Sequence, residues 1–457
     1  MHIRKYDFDY GRRMLMEKAA KGIGSAGVLT SLWPMITKAD TPDIKMAYPE
    51  ELTSIEAHTK GKIKPGDVIT ADNLEHVEHL LDPIEVIEIR EDGRRIKIQE
   101  TTTDMTDLFE DPFLEATLRN QGRAMVDSDG NVWDQKKGNP LRGGLPFVEP
   151  DDGYQAQANI NLSWGRHNYQ QYGVRDWDLG PDGELQYQYD FVWAELQVNA
   201  RPDDTSWNGE TDMLRYQSVF FTAPNEQSGT SFLNTWPYDQ RQFPGLIGYL
   251  PAFKRVREYP TNQRFEPLVP GITVFLSNAW AAGDPLATWG NHKIVERKPM
   301  LGAARGAWAK DDPNWEPGVH GGPQGKTYWD SVRELVPETI VVDLEPTGYP
   351  RSPVGKRRTW FDARNFTHVL SVDYDRKGKV WKNWDAGYAK YEGMKTPEGH
   401  TPWSWAYVTS HDIQSGRMSR FHQAKEVTGG YKSEWGTDGD TAYDKYLTTQ
   451  AMRRLGA

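Results

Sequence analysis

The sequence predicts a β-rich α+β protein, and three observations carry that prediction. Apolar and polar residues alternate at period two in several separated runs, turn-forming Asp, Asn, Gly and Pro punctuate those runs, and aromatic rings supply much of the burial. The clearest run is 359–384, which reads as three strands joined by two tight turns. Phe366, His368, Leu370, Val372 and Tyr374 occupy every second position, so successive side chains leave on opposite faces. Asp362-Ala363-Arg364-Asn365 and Asp375-Arg376-Lys377-Gly378 supply the reversals, since Asx side chains bond nearby backbone and Gly accepts positive φ. Mean hydropathy is −0.74 with 37% hydrophobic residues, while 18 Trp, 21 Tyr and 15 Phe make the chain 12% aromatic. Rings of this kind suit strands.

The length of 457 residues allows two or three domains, or one large β domain with insertions. Net charge is −11, but residues 1–39 carry +4 and the remainder −15. So acidic a body repels phosphate backbones and anionic surfaces, which argues against nucleic acid as a partner. Cysteine is absent, which excludes disulfides, thiolate chemistry and lipid attachment at an N-terminal Cys.

In chain order, residues 1–39 read as an export signal. Arg12-Arg13 precede an apolar pair and Lys18 in a twin-arginine-like pattern. The apolar run Ile23–Ile36 is too short to span a bilayer, and Thr37-Lys38-Ala39 offers small residues for cleavage. An amphipathic N-terminal helix is the alternative. This predicts a periplasmic protein, exported and not lipid-anchored, with no transmembrane segment. Residues 40–84 read as an N-terminal helical segment, with Leu74, Val77 and Leu81 on one face behind Asp72. Residues 84–100 read as a hairpin, Ile84, Val86, Ile87 and Ile89 facing Ile96 and Ile98 across Asp92-Gly93. Asp127-Ser128-Asp129-Gly130 lacks the glycine and glutamate placement of a calcium loop and reads as a turn. Residues 138–166 combine Gly143-Gly144 and two Pro with a helical run after Asp151-Asp152, a rigid loop and then a short helix.

Residues 185–300 are strand-rich, with Tyr187, Tyr189 and Trp193 alternating in the first run and Phe220 near the end of the second. Residues 303–330 read as a loop insertion bearing Trp308 and Trp315, a lid or a self-pinned loop. Strands resume at Val336, and 403–408 begins another. Residues 431–457 read as a peripheral C-terminal tail with a short helix.

Catalytic chemistry finds little support. His411 and Asp412 are adjacent and point to opposite faces of a strand, His76 and His79 lack a third ligand, and no nucleophile elbow, phosphate loop or dinucleotide fingerprint occurs. The expectation is a protein that is not an enzyme, with no cofactor and no metal.

Several motifs in order carry a family resemblance over roughly residues 85–425. Gly143-Gly144-Leu145-Pro146-Phe147 followed by Pro150-Asp151-Asp152-Gly153-Tyr154, then Trp236-Pro237-Tyr238, Lys254-Arg255-Val256-Arg257 with Pro260, and Asn291–Met300 resemble the family called domain of unknown function 1329 (DUF1329). Val148-Glu149 and Ser163-Trp164-Gly165 depart from the family's usual pattern. Strand, Asp turn, strand, Asp-x-x-Gly turn, strand is also how the sheet ends in the outer-membrane lipoprotein-sorting proteins LolA and LolB. The resemblance implies a large curved antiparallel sheet, an incomplete β-barrel wrapped around helices, spanning residues 85–430. It implies an apolar cavity for a lipid or other hydrophobic molecule, and work with a resistance-nodulation-division type transporter and an outer-membrane companion. The expected cavity residues are Tyr187, Tyr189, Phe220, Phe366, Leu370, Val372 and Tyr374, with packing against their own neighbours as the alternative for each. A periplasmic carbohydrate-binding protein or hydrolase is the competing reading.

Overall fold

The computed structural model describes residues 43–46, 48, 50–163, 166–260, 264–278, 284–305, 314–315, 330–436 and 439–456. The export signal with Arg12 and Arg13, Trp308, and most of the 303–330 insertion lie outside the described residues.

Sixteen strands form one mostly antiparallel sheet. In chain order they are β1 (Val68–Ile69), β2 (Arg95–Gln99), β3 (Tyr169–Leu179), β4 (Leu185–Gln197), β5 (Met213–Ala223), β6 (Ser231–Pro237), β7 (Gly245–Leu250) and β8 (Arg255–Tyr259). The second half has β9 (Gly290–Ala303), β10 (Asp330–Glu345), β11 (Val354–Asp362), β12 (His368–Asp375), β13 (Val380–Lys390), β14 (Trp403–Asp412), β15 (Arg417–Ala424) and β16 (Glu434–Trp435). Across the sheet the order is β1, β2, then β10 to β15, then β3 to β8; β9 pairs with β10, and β16 with β3. Two meanders are thus sewn together where β15 meets β3, with Phe421 opposite Asp176. Among the described residues only β2 against β10 is parallel. The curved sheet does not close, and it wraps around helices, the β-rich α+β class that the alternation predicts.

The inner face holds α2 (Asp111–Asn120) and α3 (Gly153–Ser163). Asn159 of α3 accepts the Phe147 N–H at 2.8 Å and donates to the Phe147 carbonyl at 2.6 Å, which fastens the Gly143–Phe147 loop to the helix. Gly144 has φ +93°, and a Cβ there would meet the α2 backbone at 2.5 Å, so only glycine permits this approach. The outer face of β4 to β8 is covered by α4 (Gly439–Tyr446) and α5 (Thr449–Leu455), where Tyr446 stacks on Phe220 at 5.5 Å.

The expected hairpin at 84–100 is corrected. Residues Pro83–Glu91 form a helix, α1, and only 95–99 is a strand. Asp82 caps the helix by accepting from the N–H groups of Ile84 and Glu85, and Pro83 fits the first turn, where its missing N–H costs nothing. The helix buries Ile84 and Ile89 on the outer face of β10 to β14 together with Glu85 and Glu88.

Candidate functional site

The two halves of the inner face differ. Under β9 to β12, α3 and polar side chains take up most of the space and leave a gap of about 40 Å³ with a mixed polar lining: Arg357 pairs with Asp373 at 2.7 Å, and Asn278 donates to Asp373 at 2.6 Å. Under β3 to β6 and β13 to β15 there is a hollow. Its walls are Tyr172 and Val174 of β3, Phe191 and Trp193 of β4, Val219 and Phe221 of β5, Phe232 of β6, Trp384, Trp405, Val408 and Phe421. Of the eighteen described residues that line it only Gln217 and Asn234 are polar, and Gln217 is engaged by Glu195 and Trp236. The unfilled space is about 80 Å³, several times what one water needs.

Residues 264–278 roof the hollow with Leu268, Ile272, Val274, Phe275 and Leu276. The roof is tied down by its middle. Tyr189 donates to the Pro270 carbonyl at 2.7 Å, the Thr273 N–H to Ser419 Oγ at 2.8 Å, the Thr273 hydroxyl to the Ser410 carbonyl at 2.9 Å, and Lys382 Nζ to the Thr273 carbonyl at 2.7 Å. Ser419 in turn donates to Asp178 at 2.5 Å. Asp176, two residues along β3 from Val174 on the same face, is fully buried, and neither carboxyl oxygen has a partner among the described residues. Burial pushes the Asp178 carboxyl up to about 7, and burial with the neighbouring Asp178 pushes Asp176 well above the carboxylate range. Burial also pulls Lys382 down to about 8.

The family described as protein of unknown function (DUF1329) matches residues 68–453. The chain belongs to that family. Solved structures similar to this DUF1329 protein include a domain named for outer-membrane lipoprotein sorting from Vibrio parahaemolyticus, at 15% identity, 66% of this chain, 97% of that chain and TM-score 0.42. A DUF1329 family protein from Desulfovibrio piger shares 12% identity over 66% of this chain and 97% of its own, with TM-score 0.43. A LolA superfamily protein from Nitrosomonas europaea shares 12% over 63% and 94%, with TM-score 0.31. No curated protein matches the chain.

In this DUF1329 protein the seven expected cavity residues are not brought together, and none is among those lining the hollow. Tyr187 and Tyr189 stack at 6.1 Å on the hollow's side of β4, beyond Phe191, and Tyr189 meets the wall residue Phe221 edge-on at 5.6 Å. Phe220 faces the opposite way, under α4. Leu370 and Val372 pack on the outer face against Ile84, Val341 and Trp360, with Tyr374 half-buried beside them under the Lys356 ammonium. Phe366 is buried in the turn before β12 at φ +53°. The residues that do line the hollow include the partners of those expected, Phe221 beside Phe220 and Phe191 beyond Tyr189.

Sequence reasoning also missed a buried ionic cluster beneath α1. Glu85 and Glu88, three apart on one helical face, meet Arg94, Arg333 of β10, Asp385 of β13 and His411 of β14. Arg333 donates to Glu85 at 2.7 Å and to Asp385 through both terminal nitrogens, and His411 Nδ1 lies 2.9 Å from Glu88. Burial raises the Glu88 carboxyl, but Arg94 and His411 hold it below its ordinary value; Arg333 and Arg94 do the same for Asp385. Asp412 points the other way from His411 and accepts from the Trp381 indole at 3.0 Å. Trp315 of the insertion is buried against Tyr391 at 4.6 Å and Trp435 at 5.8 Å. No group of three or more His, Cys, Asp or Glu side chains with metal-holding geometry occurs among the described residues.

Proposed function

We propose that this DUF1329 protein binds a lipid or other hydrophobic molecule in the hollow beneath residues 264–278 and acts as a carrier. The observation behind this reading is an unfilled, ring-walled and almost wholly apolar space, larger than the polar-lined gap of about 40 Å³ between α3 and β11 to β12. Native interiors leave few voids larger than a water, so an apolar one of this kind suits an apolar guest. Each buried methylene contributes about 0.8 kcal/mol without any polar match. As it stands the space is smaller than the roughly 150 Å³ of an apolar cavity known to hold benzene, so a long chain enters only if the roof lifts. Tyr187 and Tyr189 then prolong the wall beyond Phe191. The role is binding rather than catalysis, the twin-arginine pattern at Arg12 and Arg13 supports delivery to the periplasm, and a sequence without cysteine offers no thiol for a lipid anchor. There the carrier works beside a resistance-nodulation-division type transporter and an outer-membrane companion. Among the described residues no helix is long and apolar enough to cross a membrane.

Organic extraction of the purified protein followed by mass spectrometry tests the reading. Co-purifying lipid at near-stoichiometric yield is expected, with the yield falling at least tenfold in Val408→Phe, which fills the hollow. A clean extract together with no binding of an apolar fluorescent dye would sink it.

A further inference from the structure

Between α3 and β3 the chain places a charge with no ion-pair partner among the described residues; Glu110 acts on it from beyond that distance and itself lies 3.0 Å from His167. Arg166 is 6% exposed, and among the described residues no carboxylate lies within ion-pair distance of its guanidinium. One of its terminal nitrogens, Nη1, is buried without a hydrogen-bond partner. Two rings take the place of an acid: the guanidinium carbon sits 3.7 Å from the centroid of Phe113 and 5.6 Å from that of Trp403. Burial pulls its pKa down to about 9, which still leaves it charged at neutral pH. Asp176 is buried without a partner too, but a carboxyl escapes the cost by taking up a proton. A guanidinium has no such exit, and an anion is what completes it.

Arg166 lines a cleft of about 360 Å³. Four acids border the same cleft. Glu110 lies 3.0 Å from His167 and Asp203 3.1 Å from Arg201, while Glu115 and Glu398 are exposed, where solvent and salt screen them. Arg166 itself is deep. It also lies near the hollow, because Trp403 and Trp405 are two residues apart on one face of β14, roughly 7 Å along the strand, and Trp405 is a wall of the hollow; the buried Trp403 ring stands between the two spaces. Cation, ring, ring and apolar space follow one another along the inner face.

We infer that the ligand is an amphiphile with an acidic head, a carboxylate or a phosphate, held by Arg166 while its chain runs past Trp403 into the hollow. This rests on the carrier reading and narrows its ligand class. A planar guanidinium offers two parallel N–H donors to either head group.

Isothermal titration of the full chain with dodecanoate, dodecyl phosphate and dodecanol tests it. At least one acid should bind at least tenfold more tightly than the alcohol, and the tighter of the two identifies the head. Arg166→Met should bring that acid down to the affinity of the alcohol and leave the alcohol's own binding unchanged, which also reports that the variant is folded; Arg166→Lys should fall between. Equal binding of acids and alcohol by the unaltered protein, or an acid preference that survives Arg166→Met, overturns the assignment while the carrier reading stands. If none of the three binds, both fall. Should Arg166→Met fail to fold, the acid-to-alcohol ratio of the unaltered protein and of Arg166→Lys decides the matter.

Discussion

The two faces of the same sheet solve opposite problems. Beneath α1 on the outer face, acids and arginines are buried together and satisfy one another, with the Ile84, Val341, Leu370 and Val372 cluster packed alongside. Under the roof on the inner face, rings surround unfilled space, and the buried acids at its end, Asp176 and Asp178, form no ion pair among the described residues. The difference teaches where to look for function. A filled and charge-matched region specifies the fold, whereas a region left unfilled and unmatched has binding capacity to spare.

Breaking the matched side should have the largest effect. Arg333→Met leaves Asp385 and Glu85 in the interior with Arg94 as their remaining cation, and loss of one partner of a buried ion pair costs about 3–5 kcal/mol; urea unfolding with a lowered midpoint and unchanged slope is the expected result. Next comes one enlargement made on both faces. Val372→Phe overpacks a fully buried site and should cost about 1–3 kcal/mol, whereas Val408→Phe grows into the hollow and should stay below about 1 kcal/mol while abolishing ligand binding. Equal costs in thermal and urea unfolding would erase the distinction between the faces. The last expected effect is a slope, small at any one pH step. A carboxyl whose folded pKa is raised gives stability that is present in full below its unfolded value and disappears as pH rises through the folded one. For Asp178 that window runs from about 3.8 to about 7, at no more than about 1.4 kcal/mol per pH unit. Glu88 and Asp385, whose folded values are lowered, act in reverse: their stability is present above the ordinary carboxylate values and is lost as pH falls. Unfolding midpoints measured from pH 2 to 8 should therefore show Asp178→Asn removing stability loss between pH 4 and 7 and leaving the acid limb below about pH 4 unchanged.

The meander at β11 to β13 was legible because alternation and Asx or Gly turns agree there. At 84–91 they did not help, since Ile84, Val86, Ile87 and Ile89 over so short a run fit a strand and a helix equally. The deciding signal stood just ahead, in Asp82-Pro83 with Glu85 behind it. For the site, periodicity announced ring-bearing strands but not which parity faces inward. Phe220 and Phe221 are neighbours on opposite faces, and an irregularity in the β11–β12 pairing shifts the count between His368 and Leu370. The roof has no period at all, and Arg166 acquires its meaning only from Phe113 and Trp403, distant in sequence.

The last strand of the sheet gives a final consequence. Among the described residues β8 pairs only with β7, leaving one row of backbone donors and acceptors open along Arg255–Tyr259. Arg255, Arg257 and Glu258 are exposed on it, with Val256 between them only partly buried. Two copies approaching side by side would have to desolvate these charges before any ladder between them could form, so the chain can present an open rim without zipping onto its neighbours in a crowded compartment.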